Sequence, residues 1–139
     1  MVNLFKLIIS LLFFKVGIAT AHADYSNLSI PQIKYEDGYS NPHPTAIDSL
    51  LGQIERRTSI ETNRGLLQIE LSHPNLYQYP FIYMAGSEGF GIFSTNELQR
   101  LRNYLSYGGF LLVDDNSSNT NSKFDISVRK MIGALFPQV

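Results

Sequence analysis

The chain of 139 residues contains no cysteine, and this absence excludes several kinds of chemistry. A disulfide framework, a thiol nucleophile and a thiolate metal site all require that side chain. The stability of the fold must therefore come from a hydrophobic core. With 44% hydrophobic residues, the composition can supply one, although a domain of this length has a modest core.

A long uninterrupted apolar run is also missing. The run Leu7–Phe14 meets Lys15, and it is shorter than the roughly 20 residues that cross a bilayer. Lys6 precedes the run and Ala21–Ala23 follows it as a small-x-small cleavage pattern, which predicts a signal peptide over residues 1–23 and export to the periplasm. The alternative is an uncleaved segment that anchors the protein in the inner membrane, and only then do we expect membrane contact.

An excess of basic residues is the third absence. Lys6 and Lys15 leave with the predicted signal peptide, so residues 24–139 carry nine basic and twelve acidic residues and a net charge of about −3. Proteins that bind a nucleic-acid backbone present a basic face. The charge balance therefore argues against nucleic acid as a partner.

Apolar periodicity predicts four strands. Ile30–Tyr35 alternates apolar and polar residues, and Leu67–Leu71 alternates with one wet face, which is typical of a strand at a sheet edge. Pro80–Ala85 and Gly109–Val113 are apolar at both parities, which predicts strands that are buried on both faces.

Three helices are predicted, over Asn41–Arg57, Ser94–Gly108 and Phe124–Leu135. Asn41 is expected to cap the first with Pro42 at its first position. Ser94 and Glu97 form the pattern of a capping box, and Gly108 is expected to end the second helix. The order β-α-β-β-α-β-α predicts a single α/β domain over residues 24–139, a three-layer sandwich with a mostly parallel, flavodoxin-like or Rossmann-like sheet.

Polar residues follow three of the predicted strands. In open α/β sheets, ligands bind at the carboxyl ends of the strands. The sequence therefore predicts a binding site there for a small ligand or a protein partner, with no cofactor. Its expected members are Asp37, Gly38, Gly86, Ser87, Glu88, Asp114, Asp115 and Asn116.

Glu88, Asp114 and Asp115 also allow a different interpretation. Carboxylate oxygens are the ligands of hard cations such as Ca²⁺ and Mg²⁺, and a bound metal that activates water would make the protein a metal-dependent hydrolase. Against this, Asp115 and Asn116 are typical of Asx turns that cap the following segment. Both interpretations remain open at this point.

A catalytic set is harder to find. Ala85–Gly89 is one residue away from the G-x-S-x-G elbow, but no helix pattern follows Ser87 directly, and the remaining histidines, His43 and His73, both precede it. The same loop lacks the P-loop lysine. We therefore predict no catalytic residue and a binding function rather than an enzyme.

Three segments between Tyr35 and Pro137 carry a family resemblance: E-R-R-T-S, Y-P-F-I-Y-M and L-R-N-Y-L-x-x-G-G-F-L-x-x-D-D. Together they resemble the bacterial family known as domain of unknown function 4159. The resemblance implies a relation to the class I glutamine-amidotransferase-like α/β fold and no established activity. The amidotransferase nucleophile is a cysteine, so that reaction is excluded for this chain.

Two departures from the family pattern matter. Members usually carry a Gly-His-Gly turn where this chain has Gly86-Ser87-Glu88, so no role of that histidine carries over. Members also usually continue past the Phe-Pro that ends the last helix. The resemblance therefore implies a C-terminally incomplete domain, with a bare sheet edge or helix face that can pair with another chain.

Overall fold

The computed structural model describes residues 26–36 and 41–138. The predicted signal peptide lies outside these residues, and so do Asp37 and Gly38 of the predicted site. Among the described residues, no helix has the length and apolar character needed to cross a membrane.

Four parallel strands form one sheet, which confirms the predicted α/β class. The strands are β1 (Gln32–Ile33), β2 (Gln68–Ile69), β3 (Phe81–Gly86) and β4 (Phe110–Asp115), and their order in the sheet is β2-β1-β3-β4. β3 and β4 pair over their full length, from Phe81 opposite Phe110 to Gly86 opposite Asp115. β1 and β2 are only two residues long, shorter than predicted.

Helices cover both faces of this sheet. The helices are α1 (Ala46–Arg57), α2 (Thr95–Ser106) and α3 (Lys123–Leu135). Ile47 and Leu51 of α1 pack with Tyr83 and Ala85 of β3 on one face. On the other face, α2 and α3 contribute the buried side chains that pack with Ile82 and Met84: Leu101, Tyr104, Phe124, Met131 and Leu135. Alternate residues of β3 thus serve two cores, as expected of a three-layer sandwich.

The start of α1 differs from the prediction. The helix begins at Ala46 with Thr45 at its N-cap, and neither Asn41 nor Pro42 belongs to it. The prediction overlooked Pro44. Because a proline disfavours helical backbone at the preceding residue, His43 cannot continue a helix that has started at Pro42.

Both ends of α2 follow the prediction. The Ser94 hydroxyl accepts a hydrogen bond from the Glu97 N–H at 3.3 Å, and the Glu97 carboxylate accepts one from the Ser94 N–H at 3.0 Å. At the other end, Gly108 has a φ of 96°, a left-handed conformation that favours glycine. The next residue, Gly109, lies against the ring of Tyr104, and a Cβ at this position would collide with that ring.

The strand β4 is less buried than predicted. The prediction that both of its faces are buried is wrong, since Phe110 is 53% exposed and Leu112 is 38% exposed. Leu111 and Val113, on the other face, pack against the core beneath α2 and α3. β4 lies at the edge of the sheet, and α1 contacts the part built from β3 and the chain before β1. The predicted edge position of β2 is confirmed.

Candidate functional site

The loop after β3 starts at a crowded glycine. A Cβ on Gly86 would collide with the Tyr35 hydroxyl and with the ring of Phe124. The Tyr35 hydroxyl donates a hydrogen bond to the Ala85 carbonyl at 2.7 Å, and burial raises the pKa of Tyr35 to about 12. Gly86 therefore has a packing role here, because it lets the end of β3 approach β1 and α3.

Phe90 anchors the same loop in the core. Its ring centroid lies 4.8 Å from that of Tyr35 and 5.6 Å from that of Phe124. The Ser127 hydroxyl accepts a hydrogen bond from the Phe90 N–H and donates one to the Phe90 carbonyl, both at 3.2 Å. Between Gly86 and Phe90, Glu88 is exposed, and its carboxylate lies 4.0 Å from the Lys123 ammonium.

Asp114 and Asp115 point to opposite faces of the sheet. The Tyr83 hydroxyl donates a hydrogen bond to Asp114 Oδ2 at 2.7 Å, on the face that carries α1. On the other face, the Ser122 hydroxyl donates to Asp115 Oδ2 at 2.6 Å, and the Ser117 N–H donates to Asp115 Oδ1 at 2.9 Å. Successive residues of a strand alternate between faces, so these neighbours do not share a ligand.

Asp115 and Ser122 connect the end of β4 to α3. Ser122 is the N-cap of α3, and its hydroxyl accepts a hydrogen bond from the Asp125 N–H at 2.9 Å. The hydrogen bond from the Ser122 hydroxyl holds the pKa of Asp115 below its usual value. The bond from Ser117 makes Asp115 an Asx turn, the structural interpretation that the sequence had left open. The Asn116 N–H donates to the Gly86 carbonyl at 2.8 Å and so continues the β3–β4 ladder.

The three carboxylates of the alternative metal site are therefore not brought together. Asp114 and Asp115 diverge across the sheet, while Glu88 lies beside Lys123 on the surface. Within residues 26–36 and 41–138, no group of three His, Cys, Asp or Glu side chains has the arrangement of a metal site. Of the predicted site, Gly86 and Asp114–Asn116 make contacts that stabilise the fold.

An open cleft of about 460 Å³ lies on the other half of the same rim, at the carboxyl ends of β1 and β2. Charged side chains dominate one side of this cleft, which we call the carboxyl-edge cleft, and the loop before α2 forms the other. The lining residues are Lys34, Tyr35, Glu36, Glu70, Gly91, Ile92, Phe93, Ser94 and Glu97. None of the predicted site residues that the structure describes belongs to this lining.

Arg100 of α2 fixes the wall of the cleft behind Glu70. Its guanidinium donates hydrogen bonds to the Leu71 carbonyl at 2.8 Å and to the His73 carbonyl at 2.6 Å, and it lies 5.3 Å from the centre of the Tyr77 ring. Charge-assisted bonds of this kind are stronger than neutral ones. The turn after β2, and with it Glu70, is thus held by α2.

Sequence reasoning missed most of the cleft, although signals were present. Lys34 and Glu70 directly follow the last residues of β1 and β2, but the predicted strands Ile30–Tyr35 and Leu67–Leu71 contained them, so only the shorter observed strands bring them under the carboxyl-edge rule. Ser94 and Glu97 were interpreted only as a capping box. They have that role, and they also line the cleft.

The parallel sheet and its two helical layers define an α/β protein, and a polar cleft lies at the carboxyl edge of the sheet. The chain belongs to the family described as Domain of unknown function (DUF4159), whose sequence profile matches residues 29–139. The resemblance carried by the sequence segments is thereby confirmed. A comparison with curated proteins finds no match to this chain.

Proposed function

We propose that this protein is an exported, non-catalytic domain that binds a small polar ligand in the carboxyl-edge cleft. The observation that carries the proposal is the cleft itself, an opening of about 460 Å³ at the carboxyl ends of β1 and β2. Its position is where parallel α/β sheets bind their ligands, and its volume falls in the usual range for small-molecule sites.

The lining supports a ligand that offers hydrogen-bond donors. Glu36, Glu70 and Glu97 contribute carboxylates, which accept hydrogen bonds, and Lys34 contributes an ammonium that can contact a carboxylate or phosphate oxygen. Phe93 and Ile92 add apolar surface on the opposite wall. A small molecule with an amino or hydroxyl group and a short apolar part satisfies both walls.

Binding without catalysis is supported by the hydrogen bonds of Ser94, the serine of the cleft. The Ser94 hydroxyl donates a hydrogen bond to the Glu97 carboxylate at 2.7 Å and accepts one from the Glu97 N–H, so the pair is engaged in capping α2. A serine nucleophile needs a base that is itself oriented by a third group. Within the described part of the chain, the Ser94–Glu97 pair serves the helix end instead.

The binding proposal is tested by thermal unfolding of the full chain against a panel of amino acids, polyamines, monosaccharides and nucleotides, with Ca²⁺, Mg²⁺, Mn²⁺ and Zn²⁺ included. A ligand present at 100 times its Kd stabilises the folded state by about 2.7 kcal/mol. We expect at least one organic compound to raise the unfolding temperature of the wild type. We expect the Glu70→Lys variant to lose that response.

Glu61→Lys is the matched control, because Glu61 is exposed and lies outside the cleft. This variant should respond like the wild type. An equal response of the Glu70→Lys variant would place the ligand elsewhere and refute the proposal. A response to a divalent cation alone would favour the metal-dependent alternative.

Export is a separate part of the proposal, supported by Lys6, the apolar run and Ala21–Ala23. The expected product is a periplasmic chain that begins at Asp24, and intact-mass measurement of the expressed protein checks it. A full-length mass in the membrane fraction would indicate the anchored form.

A further inference from the structure

The outer edge of β4 carries unpaired backbone groups. The Phe110 N–H donates to the Pro80 carbonyl at 3.0 Å and the Asn116 N–H donates to the Gly86 carbonyl at 2.8 Å, so the even-numbered residues of β4 face β3. In a parallel ladder, alternate residues bond to one side. Leu111, Val113 and Asp115 therefore direct their N–H and C=O groups away from the sheet. In the described part of the chain, no strand lies on that side.

The side chains of this strand do not protect the edge. Natural edge strands are usually short, bulged or interrupted by lysine or proline, whereas β4 has the sequence FLLVDD and pairs with β3 without a bulge. Phe110 and Leu112 also expose an apolar strip on the face that α1 leaves open. The strip continues inward, because the rings of Phe110 and Phe81 stack with centroids 4.5 Å apart.

We propose that β4 pairs antiparallel with β4 of a second copy of this chain. The two copies are related by a two-fold axis that passes midway between Leu111 and Leu111 of the second copy. The two four-stranded sheets then form one continuous sheet of eight strands. This association surface is independent of the ligand proposed for the carboxyl-edge cleft, because β4 and β2 lie at opposite edges of the sheet.

The symmetry of the arrangement suits the exposed strip. A two-fold axis that makes two edge strands antiparallel is perpendicular to the sheet, so both open faces lie on the same side. With Leu111 opposite Leu111 of the second copy, Phe110 lies opposite Leu112 of the second copy. The exposed side chains of both copies then cover one another, and Leu111 and Val113 supply the hydrogen bonds.

The acidic end of β4 selects both the antiparallel direction and this register. In this register, Asp114 and Asp115 extend past Phe110 of the second copy toward the end of its α2, where Tyr107 is 84% exposed and carries a hydroxyl donor. Placing Leu112 opposite itself would put Phe110 against Asp114. Placing Val113 opposite itself would put Leu112 against Asp114. A parallel pair would put the carboxylates of both copies at the same end, where like charges repel.

The absence of native cysteine makes a register measurement possible. Leu111→Cys, Leu112→Cys and Val113→Cys are prepared in the full chain and oxidised mildly at high protein concentration. Directly opposite residues of this type have Cα atoms about 5.5 Å apart, which suits a disulfide. We expect the Leu111→Cys variant to form covalent dimer at least about tenfold faster than the other two, whose Cα pairs are too far apart.

Sedimentation of the variants without cysteine completes the test. The proposed contact consists of one pair of edge strands, so we expect a reversible dimer whose population rises with protein concentration. Leu112→Lys should make the protein monomeric while leaving it folded, with only a small decrease in the unfolding midpoint at low protein concentration. The matched control is Leu50→Lys, because Leu50 is 40% exposed on α1, and this variant should still dimerise. A wild type that stays monomeric, a dimer that survives Leu112→Lys, or equal cross-linking at all three positions would overturn the proposal.

Discussion

The two edges of the sheet are built in opposite ways. β2 is two residues long, its Gln68 is exposed, and the turn that follows it is tied to α2 by Arg100. β4 is six residues long, apolar on both faces up to Val113, and open along its outer side in the described residues. One edge therefore ends in polar groups beside a cleft, while the other presents a full strand. We therefore propose ligand binding at the first edge and chain association at the second.

The strand between the two edges should give one of the two largest effects. Gly86→Ala at the end of β3 forces a methyl group into the Tyr35 hydroxyl and the Phe124 ring, and overpacking of this kind costs about 2–3 kcal/mol. Urea unfolding should show this loss. Gly133→Ala is the control, because a Cβ there meets nothing within 4 Å and an alanine in α3 should stabilise the protein slightly. Equal midpoints for the two variants would show that the crowding at Gly86 is relieved by small shifts.

Truncating one apolar side chain on each edge strand should cost different amounts of stability. Ile69→Ala on β2 removes a side chain that is only 4% exposed and should lower the free energy of unfolding by about 2–4 kcal/mol. Leu112→Ala on β4 removes a half-exposed side chain and should cost below about 1 kcal/mol in the monomer. The urea midpoints of the two variants at low protein concentration give this difference. If Leu112→Ala costs as much as Ile69→Ala, the open face of β4 is covered in solution even in the monomer.

Removing the hydrogen bonds of Arg100 to the turn after β2 should have an intermediate effect on stability, and this effect should be confined to the β2 edge. Arg100→Ala removes two charge-assisted hydrogen bonds to backbone carbonyls, and we expect a loss of about 2 kcal/mol together with weaker ligand binding in the cleft. Arg56→Ala on the exposed side of α1 serves as the control and should change neither property. Denaturation and ligand titration are measured on the same samples. Loss of dimerisation in Arg100→Ala would contradict the independence of the two edges.

The smallest expected effect is the pH dependence of stability that Asp115 at the end of β4 contributes. The pKa of Asp115 is lowered in the folded state by the Ser122 hydroxyl, so the stabilisation is present above the unfolded-state value of about 4 and is lost as the pH falls through the lower folded value. Unfolding measured between pH 6 and pH 2 should show this loss in the wild type. Asp115→Asn and Ser122→Ala should both reduce the slope below pH 4, and an unchanged slope in both would contradict the assignment. The effect is small because Asp115 is exposed and its bonds compete with water.

Local signals predicted the fold well. The capping box of Ser94 and Glu97 and the left-handed Gly108 involve residues within a few positions of one another, and the structure has both. The open face of β4 was not predictable in the same way. The apolar side chains of Phe110 and Leu112 do not indicate whether a helix packs over them. Their exposure depends on where α1 packs, and residues far away in the sequence determine that position.

The predicted site residues and the carboxyl-edge cleft lie on different halves of the same rim. The prediction ended the last strand at Val113, whereas β4 runs through Asp115, and strand alternation then sends Asp114 and Asp115 to opposite faces. On the other half, the predicted strand Leu67–Leu71 contained Glu70, whereas β2 ends at Ile69, so the carboxyl-edge rule was never applied to Glu70. Element boundaries, more than element types, decided which side chains share a site.

The adjacent glycines between α2 and β4 are required for unrelated reasons, and their substitution tolerance should differ accordingly. Gly108 is required because its φ angle is positive, and asparagine can also adopt such a conformation at modest cost. Gly109 is fixed by volume, because the Tyr104 ring occupies the space of a side chain. Among divergent relatives, the first position should therefore drift toward other left-handed residues, while the second should change only where the tyrosine has been replaced by a smaller residue.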